Sequence, residues 1–346
     1  MTPPLTTKKR FLNALRGQAV DRPPVAAVVT GITVPMMEEA GAFWPEAHSN
    51  VDQLVTLAET IWLRHSIECI KLPFDMAVES EVLGATMEWG SLDILPTELG
   101  SAYNHPDELS IPADFFDRGR VPTVLAAIGR LRRRYDSEVA VVSSIVGPFT
   151  LGAKLFGFDN FFTWLITDPD YIHPIMEKLT DLAIRYAAAQ VQAGADAILI
   201  GEASCSGMLI SPDTYRDFVV AHHARLCATI TVPNILHICG RTAKQIPHLL
   251  KTGVTAYSFD EGAKIEIVQP LLKGKIAMVG YVPTVGTLLD GQPEDVYRAA
   301  VDCLQHGVDV LAPGCSLPPH TSSANIAAMV QAAQDWTPAP AGAPAT

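Results

Sequence analysis

His237 and Cys239, within Asn234-Ile-Leu-His-Ile-Cys-Gly240, and Cys315, closing Val310-Leu-Ala-Pro-Gly-Cys315, are the residues whose types and spacing best suit chemistry. Side chains two apart on an extended strand share a face, so a strand through 234–239 presents the imidazole and the thiol together. Cys315 ends a second apolar run, and two such strands in one barrel open their carboxyl ends onto the same mouth. Two thiolates and an imidazole form a soft donor set that selects zinc, and three protein ligands leave a tetrahedral ion one position for substrate. The competing reading is core packing, since free cysteine is among the most buried residue types. That reading suits Cys69 in an apolar run, Cys227 and Cys303 in helix-like stretches, and Cys205 in a loop. The glycines beside Cys239 and Cys315 instead suit strands turning into active-site loops.

Strand-length apolar runs recur at 25–29, 69–72, 139–143, 197–200, 235–239, 256–259, 276–279 and 308–311, with longer helix-like segments between them. Near-continuous apolarity fits strands buried on both faces, and the alternation with helices fits right-handed crossovers. The pattern predicts a (β/α)8 TIM barrel. An open doubly wound sheet is the alternative, but no Gly-x-Gly-x-x-Gly follows the first run. Residues 1–335 read as a single barrel domain with an N-terminal helical extension, Thr6 capping it and Gly17 closing it. An irregular excursion around 76–125 exceeds an ordinary connection and is a candidate lid or docking element. The alanine- and proline-rich tail, 336–346, is expected to be disordered.

Catalytic groups of such a barrel gather at strand carboxyl ends, where this sequence places Asp75, Glu202, Asp260 with Glu261, and Tyr281 beside the proposed ligands. Asp75, Glu202 and Tyr281 are therefore candidates for binding substrate or cofactor. Asp260, and less readily Glu261 or Glu202, is a candidate fourth ligand of a resting metal site. Helix capping is the competing role for Asp260 and Asp75.

A formal net charge of −12 in 346 residues argues against a nucleic acid or an anionic membrane as partner. The densest basic cluster, Arg130 with Arg132, Arg133 and Arg134, reads as a solvated helix end. Six cysteines without short paired spacing suit a reducing compartment, and no apolar run reaches signal-peptide or membrane length, so a cytoplasmic protein is expected. Oligomeric state is not encoded in any recognisable pattern.

Three blocks resemble the methylcobamide:coenzyme M methyltransferases of the uroporphyrinogen decarboxylase superfamily. They are Gly41-Ala-Phe-Trp-Pro-Glu-Ala-His48, Leu236-His-Ile-Cys-Gly240, and Gly307-Val-Asp-Val-Leu-Ala-Pro-Gly-Cys315 with Asn325 beyond it. The resemblance implies a zinc ion on His237, Cys239 and Cys315, and transfer of a methyl group from a methylated corrinoid, protein-bound or free, to a thiol such as coenzyme M. The chemistry suits the donor set: coordination lowers a thiol's pKa, so the nucleophile is a zinc-bound thiolate at neutral pH. No corrinoid-binding Asp-x-His-x-x-Gly is present, so a separate corrinoid protein is the implied partner.

Coenzyme M carries a sulfonate that needs a cation, and Arg241, next to the Cys239-Gly240 turn, is the nearest candidate. Tetrahydrofolate or another thiol is an alternative acceptor, although a folate nitrogen has no need of two cysteines. A uroporphyrinogen decarboxylase-like enzyme is a second alternative, which Leu72-Pro-Phe-Asp75 favours. The absence of arginines from Pro24-Val-Ala-Ala-Val-Val-Thr30 opposes it. A non-catalytic protein binding zinc or corrinoid is a third. Structural zinc sites are usually closed by a fourth cysteine or histidine, which is not evident here. His48 reads as a surface or capping residue.

Overall fold

The computed structural model describes residues 5–337, and the low-complexity tail beyond them lies outside the described residues. Nine strands occur in chain order: β1 Cys69–Leu72, β2 Met87–Glu88, β3 Thr97–Glu98, β4 Ala140–Val146, β5 Ala197–Gly201, β6 Asn234–His237, β7 Ala256–Ser258, β8 Ala277–Val282 and β9 Val310–Pro313. All except the β2–β3 hairpin form one parallel sheet in the order β1-β4-β5-β6-β7-β8-β9. Parallel pairing in sequential order, with helices in the connections, is the topology of a (β/α)8 barrel.

The segment expected as the first strand, 25–29, fills the eighth position without becoming a ladder strand. Ala26 N–H donates to Leu311 O (2.9 Å), Leu311 N–H to Pro24 O (3.0 Å), and Glu68 N–H to Val25 O (2.7 Å). These bonds tie it to β9 on one side and to the residue before β1 on the other. Pro23 and Pro24 have no N–H to offer, so the pairing cannot extend towards the amino terminus.

Alternate strand residues divide two apolar clusters. Cys69, Ala140, Val142, Ala197, Leu199, Ile235, Ala256, Val279 and Val310 pack together inside the barrel. Ile70, Val141, Ile198, Leu236, Tyr257 and Leu311 face the helical layer. Phe11, Ala14 and Leu15 of helix Thr7–Leu15 belong to the inner cluster, so the N-terminal helix plugs the amino end of the barrel. Thr6 caps it by accepting from Lys9 N–H (3.3 Å), and Lys8 pairs with Asp196 just before β5 (2.7 Å). The basic cluster behaves as a solvated face: on helix Val121–Tyr135, Arg132 and Arg134 pair with Asp196 and Glu59. No helix is long and apolar enough to cross a membrane among the described residues.

The seam at the eighth position is held by one carboxylate. Glu68, 3% exposed, takes Arg10 Nη1 at 2.6 Å, Arg22 Nη1 at 2.5 Å and the Val25 N–H at 3.2 Å. Glu68→Ala removes the acceptor of the buried Val25 amide and one partner from each guanidinium, with Arg10 keeping Asp21 and Arg22 keeping the Pro23 carbonyl. It is expected to cost about 1–3 kcal/mol in denaturant unfolding, and to speed exchange of the Ala26 and Leu311 amides before the rest of the sheet.

Candidate metal and substrate site at the barrel mouth

β6 stops at His237, so Cys239 lies two residues beyond the strand and not on it as expected. Ile238 keeps the chain extended by donating to Ser258 O (3.3 Å), and Gly240 then turns at φ +82, a conformation that disfavours side chains. The turns after β6, β7 and β9 press together. A Cβ on Gly314 would stand 2.9 Å from the Asp260 Cα, so only glycine lets the Cys315 turn approach this closely.

As a result His237, Cys239 and Cys315 present one ligand atom each, all within 4.8 Å of one another. The Cys315 Sγ lies 3.6 Å from His237 Nε2. Sulfur and nitrogen bound to one tetrahedral zinc at ~2.3 and ~2.1 Å stand ~3.6 Å apart, the separation of Cys315 and His237, and Cys239 lies within reach of the same ion. Ser258 Oγ lies 3.0 Å from His237 Nδ1, which fixes the ring with Nε2 towards the sulfurs. Hydrogen bonding between the two thiols, and then from His237, draws the Cys315 pKa down, and the same bond pushes Cys239 up.

Asp260 does not join the ligand group. Both of its oxygens accept from Gly240 N–H at 2.9 Å, and one accepts from Gly262 N–H at 3.0 Å. Its carboxylate holds the Cys239-Gly240 turn in place.

A cavity of about 270 Å³ adjoins the ligand group, lined by His237 and Ser316 together with Thr30, Lys71, Asp75 and Lys154. Leu95, Pro96 and Thr97 of the 76–125 excursion also line it, so the hairpin β2–β3 overhangs the mouth. Glu98 ties the hairpin to Lys154 (2.5 Å), and Asp93 ties it to His320 (3.3 Å).

Of the other candidates, Asp75 alone lines this cavity. Arg120 grips it at 2.7 and 3.1 Å. His48, expected at the surface, is instead 3% exposed, with Nδ1 3.2 Å from Asp75 and its ring stacked on Trp44. Burial pushes the Asp75 carboxyl up, but Arg120 and His48 outweigh it and hold it below the usual range. Glu202 is fully buried away from the cavity, accepting from Phe149 N–H, Thr150 N–H and Thr150 Oγ, with His223 at 2.9 Å. With Cys205 and His223 it forms a second compact ligand group, yet these bonds already occupy its carboxylate. Arg241 faces a separate cavity of about 490 Å³ with Lys244 and Lys264. The Tyr281 hydroxyl lies 3.2 Å from Asp302 and His306, on the helical side. Lys71, Ser258 and Arg120 escaped the sequence reading. The first two interrupt apolar strand runs, and that polarity was the available signal.

Glu79, in helix Val78–Val82, sits below this rim and accepts from Val146 N–H (2.8 Å). Burial pushes its pKa up to about 7. The folded state therefore holds this proton more tightly than the unfolded chain, and stability falls as pH rises from about 4.5 to about 7. Glu79→Gln keeps the acceptor without the charge. It is expected to be on the order of 3 kcal/mol more stable than the parent at pH 8 and nearly equal to it at pH 4, measured by denaturant titration at both.

The model of the uroporphyrinogen decarboxylase (URO-D) family matches residues 6–336. A methylated-thiol–coenzyme M methyltransferase of Methanosarcina mazei is 32% identical, over 98% of this chain and 92% of its own. The methylcobamide:CoM methyltransferase MtaA of Methanosarcina barkeri is 34% identical, over 96% and 98%. A solved methyltransferase from Methanosarcina mazei superposes with a TM-score of 0.93 at 32% identity, covering 96% of this chain and 99% of that one. Full-length identity and a shared barrel place the chain in the methylcobamide:coenzyme M methyltransferase family, within the uroporphyrinogen decarboxylase superfamily.

Proposed function

We propose that this methyltransferase moves a methyl group from a methylated corrinoid to a small thiol at a zinc site formed by His237, Cys239 and Cys315. The observation that carries the reading is the meeting of two sulfurs and an imidazole at zinc-ligand spacing beside a small cavity. The activities for which the relatives are named, which pair methylcobamide with coenzyme M, support coenzyme M as the acceptor and a methylated corrinoid as the donor. Six unpaired cysteines suit a reducing, cytoplasmic setting.

Zinc bound there would keep a thiol ionised at neutral pH and hold its sulfur at the mouth. The thiol sulfur forms the new S–C bond, and its proton is released. The cobalt–carbon bonding pair stays on cobalt, taking it from Co(III) to Co(I). Ser258 orients His237, Asp260 clamps the Cys239 turn, and Gly314 admits the Cys315 turn. Phe74, Leu95 and Leu199 give the cavity apolar walls that limit access of water as a competing nucleophile.

Cys239→Ala and Cys315→Ala are expected to lose stoichiometric zinc and thiol-dependent demethylation of methylcobalamin, read from the corrinoid spectrum, with circular dichroism unchanged. Full zinc retention in both variants would exclude the ligand set. Failure of the zinc-loaded parent with every thiol tried would instead favour a non-catalytic role. Ser258→Ala is expected to bind zinc about 10- to 100-fold more weakly in competition with a chromophoric chelator, since the imidazole loses its orienting partner.

A further inference from the structure

The cavity beside the ligand group contains one buried lysine that, among the described residues, touches no carboxylate, although Asp75 and Glu79 lie near enough to favour its charged form. Lys71 lies on β1 in an otherwise apolar run, is 5% exposed, and lines the cavity together with His237. Its ammonium donates to the Pro73 carbonyl, and among the described residues it forms no salt bridge. The other cations near the mouth are satisfied: Lys154 by Glu98 at 2.5 Å, and Arg120 by Asp75 at 2.7 Å and Glu81 at 2.8 Å. Asp75, the acidic group on the cavity wall, is thereby committed to Arg120. A buried ammonium with a single neutral acceptor carries a desolvation penalty that an anion in the cavity would offset. Arg241, the cation the sequence offered for this role, faces a different cavity.

We propose that Lys71 binds the acidic group of the acceptor thiol, so that the substrate spans the cavity with its sulfur at the His237–Cys239–Cys315 group and its anion on Lys71. Ser144 lines the same cavity and supplies a hydroxyl for a further anion oxygen, whereas the Thr30 hydroxyl is already donated to the Phe74 carbonyl. A volume of about 270 Å³ lies just below the range for drug-sized ligands, so the acceptor is short, with few atoms between sulfur and anion. Burial lowers the Lys71 pKa to about 8, which leaves the amine mostly charged at pH 7. The assignment rests on the thiol-methylation reading for the identity of the substrate, but anion binding itself is separable from catalysis.

The test has a binding arm and a kinetic arm. Calorimetry with ethanesulfonate and with propionate, neither of which has a thiol, is expected to show binding of at least one to the parent protein. Lys71→Met should weaken it about 10- to 100-fold, the loss of one charge-assisted hydrogen bond, and Lys71→Arg should retain most of it. The arm that binds distinguishes a sulfonate from a carboxylate. In methylcobalamin demethylation, the ratio of kcat/KM for 2-mercaptoethanesulfonate or 3-mercaptopropionate over 2-mercaptoethanol is expected to collapse by a similar factor in Lys71→Met. Equal losses for acidic and neutral thiols, or anion binding no tighter in the parent than in Lys71→Met, would overturn the assignment. Lys71-dependent anion binding without methyl transfer to any thiol would leave the anion site standing and remove the proposed activity instead.

Discussion

The close packing of the turns that follow β6, β7 and β9 is the constraint on which the site depends. Parallel closure brings every strand's carboxyl end to one rim, but it does not by itself bring two cysteines 76 positions apart into contact. Gly314 allows the last turn to reach the Asp260 backbone, and the Asp260 carboxylate holds the Gly240 amide from below. A side chain at position 314 or a lost carboxylate at 260 would separate the sulfurs before it disturbed the sheet. Ser258, on β7, then fixes which imidazole nitrogen faces them. Ligands and their supports therefore come from β6, β7 and the turns after β6, β7 and β9, all strands of one sheet with β8 between the last two, and the rigidity of the sheet passes to the ligand atoms.

The opposite side of the mouth is built differently, from buried charge. Asp75, Arg120, His48, Glu79 and Lys71 are all within a few per cent of full burial. Arg120 compensates Asp75, protonation relieves Glu79, and Lys71 is left with a carbonyl alone. The two halves thus divide the work that a short bifunctional substrate requires. His237 of the ligand group and Lys71 both line the cavity, together with the apolar Phe74, Leu95 and Leu199. The hairpin overhanging this gap is tied to the barrel at Lys154 and His320, which gives the irregular 76–125 stretch a place in the site.

Much of this was legible in the residues. Apolar runs with little alternation indicated a parallel barrel, and the His-x-Cys pair with a remote cysteine indicated a soft metal site. Some expectations gave way to local physics. The first run closes the barrel with only a few hydrogen bonds, because two prolines remove the donors that a ladder needs. Cys239 reaches its partners from a turn and not from a strand face. His48 is buried against Asp75, which no local pattern signals. Arg241 adjoins the Cys239 turn in sequence yet faces another cavity, since the left-handed turn at Gly240 redirects the chain between them.

The sequence by itself determined the class of fold, the soft character of the donor set and the negative balance that disfavours polyanionic partners. These follow from composition and short spacings, which local chemistry dictates. Only the tertiary structure decided that Asp260 is a backbone clamp, that Glu202 belongs to a closed hydrogen-bond network, and that Lys71 is a buried cation whose ammonium meets a carbonyl and no carboxylate among the described residues. Those roles depend on which groups from distant segments compete for the same donors and acceptors, and that competition is settled only when the barrel closes.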